Sequence, residues 1–289
     1  MRASLWEKLF YRLNEFILLL AALTCLLPLI HITAVSFSHP MEVTSGHVTL
    51  WPIEPTWNSF EALLIGTNAI KAMLNSVVIT VVGVIISMIA TVFVAYPLAK
   101  TYFLGRKFFS VAIVFTMLFG GGLIPQYIVV KSLGIINTYW ALWLPGMIST
   151  YNMWVMKSFF QELPRELEDA ARIDGCNELR LLARIILPMS MPMLVSIALF
   201  YGVGYWNNFF QVLIYINETG KYNLAVLIQQ LIISLADPKL VLEQGRLQDI
   251  APEGIKAAGV LIMIAPMLAV YPFLQKHFVK GVMIGSLKG

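Results

Sequence analysis

Apolar residues along this chain come in long blocks, and the polar residues are gathered into the gaps between them. Six blocks, at residues 16–36, 72–99, 108–130, 138–156, 192–214 and 257–273, contain no Asp, Glu, Lys or Arg. Roughly 20 helical residues cross a hydrocarbon core of about 30 Å, so each block has about the length of a membrane span. The pattern predicts an all-α integral membrane protein of six transmembrane helices, forming one membrane domain over residues 1–289. The third block is interrupted by Gly120-Gly121-Gly122 and Pro125. It therefore ends early or continues as a broken helix.

Between residues 160 and 190 the pattern changes to short amphipathic helices. Pro164 suits the start of a helix, Glu166, Glu168 and Asp169 follow, and Arg172 comes late, the order a helix dipole favours. Leu167, Ala170 and Ala171 make a narrow apolar face, and Gly175 stands where a left-handed residue would end the helix. Asn177 suits the cap of a second helix, in which Leu179, Leu182, Ala183 and Ile186 form a stripe. Pro188 and Pro192 separate it from the next apolar block. The spacing fits either a helical hairpin lying on the membrane or a docking surface for a soluble partner.

Composition changes the picture only by excluding a soluble protein: 58% of residues are hydrophobic, 12% are charged, and the mean hydropathy is +0.77. Charge distribution adds orientation. Fourteen of the 20 Lys and Arg fall in the N-terminal arm, the 100–107 connection, the 157–184 region and the C-terminal tail. The positive-inside rule puts these segments, and both termini, in the cytoplasm. An N-terminal secretory signal ending near Ile32-Thr33-Ala34 is the competing reading, but its apolar run is too long and cleavage would leave an odd number of spans. The net charge of +4 follows from the cytoplasmic bias, and no basic-aromatic groove points to nucleic acid. Two cysteines and four histidines show neither a disulfide framework nor metal-ligand spacing.

Chemistry is informative by what the chain lacks. No G-x-x-x-x-G-K-[ST] motif is present to cradle ATP phosphates, and no Ser/His/Asp set or carboxylate pair shares a membrane depth, so no catalytic residue is expected. The charge-free spans also argue against a carrier driven by protons or sodium through buried carboxylates. Energy has to come from a partner.

Glu168-Asp169-Ala170-Ala171, Ile173-Asp174-Gly175 and Ile186-Leu187-Pro188 with Pro192 resemble the EAA loop of ABC-importer permeases. That family usually has Glu directly before the Ala pair, where this chain has Asp169. The tail from Tyr271 to Gly281, with Ser286–Gly289, is similar to the carbohydrate-uptake branch typified by the second maltose-importer permease. Gly121–Val130 and Asn137–Pro145 resemble its subgroup for larger oligosaccharides, which includes alginate importers. The resemblance implies a type I permease fold in the bacterial inner membrane. It also implies binding-protein-dependent, ATP-driven sugar import by alternating access. The implied partners are a homologous sister permease in a heterodimer, two ATPase subunits holding ATP and magnesium, an extracytoplasmic solute-binding protein and membrane lipid. This chain itself would hold no cofactor and no metal. Residues 160–190 would be the cytoplasmic coupling loop, with Glu168, Asp169, Ala170, Ala171, Asp174, Gly175 and Pro188 as the ATPase-coupling residues. A permease for a peptide or another non-sugar solute, and an integral membrane enzyme, are the alternatives.

Two more regions are candidates for function. Tyr205, Trp206, Asn207, Asn208 and Gln211 gather aromatic faces and amides at bilayer depth. They suit a translocation path for sugars, or equally an interhelical or interfacial packing role. The outer loop, residues 215–256, contains an amphipathic stretch at Tyr222–Leu235. In related importers this loop reaches toward the binding protein, which makes Asn217, Glu218, Thr219, Gly220 and Lys221 the implied contact. A solvated lid without a partner is the other reading.

Overall fold

The computed structural model describes residues 5–235 and 251–286. Residues 236–250 of the predicted outer loop, and Arg2 and Lys288 of the basic termini, lie outside the described residues. Every regular element among the described residues is helical. Contacts group the chain into two compact units, Met1–Ile70 with Leu227–Pro266 and Lys71–Val226 with Met267–Gly289.

The first unit contains α1 (Leu5–Ser36), α2 (Pro40–Thr44) and α3 (Asn58–Gly66). Most of α1 is exposed and apolar, as a helix facing lipid would be, and only its last turns join a small core of Ala34, Val43, Val48 and Ala251. The connection after α1 is fastened by Ser38, whose hydroxyl donates to the Ala34 carbonyl at 2.7 Å and accepts the Ile53 N–H at 3.0 Å. His31 is exposed and bonds the Thr49 carbonyl through Nδ1 at 2.7 Å.

The second unit is organised on α4 (Ala69–Ala99), with α5 (Arg106–Leu118), α6 (Leu123–Ser132), α7 (Trp140–Trp143), α8 (Thr150–Glu162) and α9 (Arg165–Ile173) after it. The chain continues through α10 (Glu178–Leu181), a π-helical turn at Leu182–Ile186, α11 (Leu187–Met189), α12 (Met191–Trp206) and α13 (Phe210–Tyr215). Next along the chain come α14 (Leu224–Leu235) and α15 (Pro252–Ser286), each of which has residues in both units. Ile79, Ala95, Leu142, Met153, Met156, Leu181, Ile186, Ile197 and Val212 form the core. Gly83 lets α12 approach α4 closely, because a Cβ there would lie 2.8 Å from the Tyr205 ring.

Six unbroken spans are not what the helices give. Among the described residues three are long and apolar enough to cross a membrane: Trp6–Ser36, Ala69–Ala99 and Pro252–Val270. Two bent pairs are further candidates, α5 with α6 at 115° and Glu178–Met189 with α12 at 84°. The 108–130 block breaks at its glycine run, where three residues without side chains disfavour helix. The 138–156 block is split between α7 and α8, because Pro145 and Gly146 stop the first helix and Ser149 starts the second by accepting the Asn152 N–H at 3.4 Å. The 192–214 block is interrupted after Trp206, where the Asn207 amide donates to the Val203 carbonyl at 3.0 Å. Hydropathy reports partition into lipid and does not report straightness.

Candidate functional site

The 160–190 region folds as two linked helices held down by charge. Gly175 adopts φ +75°, and α9 ends with the Cys176 N–H on the Ala171 carbonyl and the Gly175 N–H on the Arg172 carbonyl, both at 3.0 Å. This is the hydrogen-bond pattern that a left-handed glycine permits. Asn177 then caps α10, its carbonyl oxygen accepting the Arg180 N–H at 2.8 Å. Beyond it the expected stripe changes: Leu181, Leu182 and Ile186 are buried, while Leu179 is 65% exposed. The π turn adds a residue to the repeat and rotates the buried face. It also widens the helix just ahead of Pro188, whose ring would crowd the Arg184 carbonyl in a regular α-helix.

The predicted coupling residues divide between two faces of α9. Glu168 and Ala171 turn inward, and Glu168 pairs with Lys100 at the end of α4. The Lys100 ammonium also lies 4.5 Å from the Tyr96 ring centroid. Asp169, Ala170, Asp174, Gly175 and Pro188 are exposed, and Leu167 and Ile173 join them as an apolar patch, Ile173 at 87% exposure. Beside the pair, Glu178 accepts hydrogen bonds from Tyr96 at 2.9 Å, Tyr102 at 3.0 Å and Arg172 at 2.8 Å. Arg172 also donates to the Tyr102 oxygen at 2.7 Å, with its guanidinium 4.7 Å from that ring. Burial, followed by the bond to Glu178, pushes the Tyr102 phenol up, so it remains a donor. Sequence reasoning used Lys100 only as an orientation marker and missed Tyr96 and Tyr102 altogether. A tyrosine four residues before a span-closing lysine was the available signal.

A second site is an open cavity of about 760 Å³ between α8 and α12–α13. Tyr205, Asn207, Asn208 and Gln211 line it as expected, but Trp206 does not. Trp206 is 6% exposed and points elsewhere, because its neighbour Tyr205 shares the cavity face with Tyr201 one turn earlier. Tyr201 and Tyr205 direct their hydroxyls to α4, at 2.7 Å from Thr91 and 2.9 Å from Ser87. The Ser149 N–H donates to the Tyr201 oxygen at 2.9 Å. These two tyrosines are therefore interhelical contacts as well as wall. The open aromatic faces belong to Tyr151, Phe200 and Phe210, which sequence reasoning did not select.

Polar atoms in the cavity are only partly used. Asn208 donates its amide to the Gln211 carbonyl at 2.9 Å, which leaves the Asn208 carbonyl and the Gln211 NH₂ open among the described residues. Asn152, 5% exposed, lines the same wall, and its side-chain amide has no bond among the described residues. Among the described residues no charged side chain lines the cavity.

The Asn217–Lys221 turn is fastened rather than extended. Asn137, at φ +61°, accepts the N–H groups of Asn217 and Glu218 at 3.1 Å each. Asn75 donates to the Gly220 and Tyr222 carbonyls at 3.0 and 2.9 Å. Thr219–Lys221 forms a 3₁₀ turn, across which Lys221 and Glu218 pair at 2.7 Å. The Lys221 bond and charge hold the Glu218 carboxyl below its usual range. The following helix begins as the sequence suggested, with Leu224, Val226 and Ile228 buried and Asn223 accepting the Val226 N–H at 3.0 Å.

Comparison with known proteins agrees with this architecture. Protein LplC of Bacillus subtilis is 44% identical over 265 residues, covering 91% of this chain and 90% of its own. The polygalacturonan/rhamnogalacturonan transport system permease protein YtcP of the same organism is 40% identical over 284 residues, covering 98% and 99%. A crystal structure of a bacterial ABC transporter involved in import of the acidic polysaccharide alginate contains a chain with TM-score 0.90 and 28% identity, covering 96% of this chain and 99% of that one. Residues 69–284 match the family model described as the inner membrane component of binding-protein-dependent transport systems, and the chain belongs to that family.

Proposed function

We propose that the protein is the membrane-spanning permease subunit of an ATP-driven importer of oligosaccharides, including fragments of acidic polysaccharides such as those named for its relatives. The observation that carries the reading is the uncharged cavity walled by Tyr151, Phe200 and Phe210, with open amides at Asn152, Asn208 and Gln211. Aromatic faces stack on sugar rings, and amides offer both donors and acceptors to hydroxyls. With no cation lining it, this wall reads hydroxyls, and any preference for uronic acids comes from other parts of the assembly.

In this reading ATP and magnesium are held by two partner ATPase subunits, and the exposed Leu167, Ala170 and Ile173 face of α9 seats against one of them. The buried Lys100–Glu168 pair carries the resulting motion into α4. A sister permease and an extracytoplasmic binding protein complete the importer, the latter meeting the fixed ledge at Asn217–Lys221. Both termini and α9 face the cytoplasm, following the basic-residue bias.

Uptake of a short and a long oligomer in proteoliposomes, measured beside the melting temperature of the complex, tests the path. Asn152→Leu and Tyr151→Ala are expected to slow uptake at unchanged melting temperature, and the Tyr151→Ala loss is expected to grow with oligomer length. Loss of stability with equal slowing at both lengths would overturn the assignment.

A further inference from the structure

Lys157, on α8, is only 4% exposed, yet among the described residues no carboxylate pairs with it. Its ammonium has the Ser110 hydroxyl at 3.3 Å and the Trp154 ring centroid at 3.6 Å, both neutral. Burial first, and then the like charge of Arg106, push its pKa down. A buried cation so placed is stabilised by an anion that the described residues do not supply.

The ammonium borders a cavity of about 930 Å³ that Arg106 and Lys107 also line, with no acidic residue in the wall among the described residues. Helix α5 begins there, at Arg106, without a side-chain cap, so its first N–H groups add to the positive field. The same cavity is bounded by Leu104, Phe108 and Val111, which are 91%, 72% and 69% exposed. Three cations with no ion pair among the described residues ask for an anionic head, and the adjoining apolar face of α5 asks for a hydrocarbon tail.

We propose that this cavity binds an anionic phospholipid, its phosphate seated among Lys157, Arg106 and Lys107 and its acyl chain lying along α5. A free phosphate would satisfy the cations but leave the apolar wall in water, which favours the lipid as the source.

The test is native mass spectrometry of the full-length protein in neutral detergent, loaded with phosphatidylglycerol or phosphatidylcholine. Phosphatidylglycerol should be retained about tenfold better, and Lys107→Gln, an exposed position, should lower its retention about fivefold. Lys157→Met should lower it at least as much, while Lys157→Arg should keep it, which separates loss of charge from loss of folding. Equal retention of the two lipids, or wild-type retention in Lys107→Gln, overturns the proposal. So does displacement of the lipid by inorganic phosphate alone, which would mark a soluble-anion site.

Discussion

The α9 region and the α8–α12 cavity both contain polar side chains in an apolar protein, and they treat them in opposite ways. Around α9 the charged groups are matched: Glu168 with Lys100, and Glu178 with Arg172, Tyr96 and Tyr102. In the cavity the polar groups are neutral, and several of their hydrogen-bonding positions stay open, Asn152 most clearly. A matched network fixes a shape, because each member would be left buried and unpaired if another moved. An unmatched wall leaves bonding capacity for a visitor. The first arrangement suits transmission of force and the second suits transient contact.

The strongest way to break this contrast is to unmatch the α9 network. Lys100→Met leaves Glu168 buried without its partner and should cost about 3–5 kcal/mol, read as a lowered melting temperature. Lys100→Met with Glu168→Leu should recover most of that loss, since neither charge then remains. Failure of the double variant to recover would mean that the pair matters for packing rather than for charge.

Gly175→Val sharpens the same side with a smaller effect. Nothing lies within 4 Å of a Cβ built at Gly175, so its cost is the left-handed backbone alone, about 1–2 kcal/mol. The expected signature is a modest drop in melting temperature with a larger loss of substrate-stimulated ATP hydrolysis in the assembled complex. Wild-type hydrolysis would exclude α9 as the docking element.

On the cavity side, Tyr201→Phe removes the hydroxyl that links Thr91, Ser149 and α12. It should destabilise by about 0.5–1.5 kcal/mol in a thermal melt. An unchanged melt would show that the hydroxyl belongs to the cavity rather than to the packing. The smallest effect is expected at the Asn217–Lys221 turn. Because the folded Glu218 pKa is depressed, its pairing with Lys221 stabilises above the ordinary glutamate range and is lost as pH falls through the folded value. Wild type should therefore lose slightly more melting temperature on acidification than Lys221→Met, and identical slopes would show that the exposed pair contributes nothing.

What could be read from sequence was local. The left-handed Gly175, the Asn177 cap and the course of α14 each depend on a few adjacent residues, and each stands where the pattern put it. The family's signature was also legible, because it is a run of residue types. Rotation of a side chain about its helix was not. Glu168 turns inward because Lys100 waits there, and Tyr205 rather than Trp206 meets the cavity because Ser87 and Gly83 receive it. These partners lie far along the chain, so no window of neighbouring residues contains the information. The apolar blocks failed in another way: their breaks at Pro145–Gly146 and after Trp206 leave hydropathy unchanged while redirecting the backbone.

The π turn at Leu182–Ile186 makes the loop's geometry a matter of counting. It is the trace of one extra residue in an otherwise regular helix. Adding a second residue there, which the turn has no further bulge to absorb, would turn everything before it by about 100° relative to α12. Glu178 would be turned away from Tyr96 on α4, yet every side chain of the network would still be present. For this protein a single-residue insertion at the turn is therefore a larger change than most substitutions.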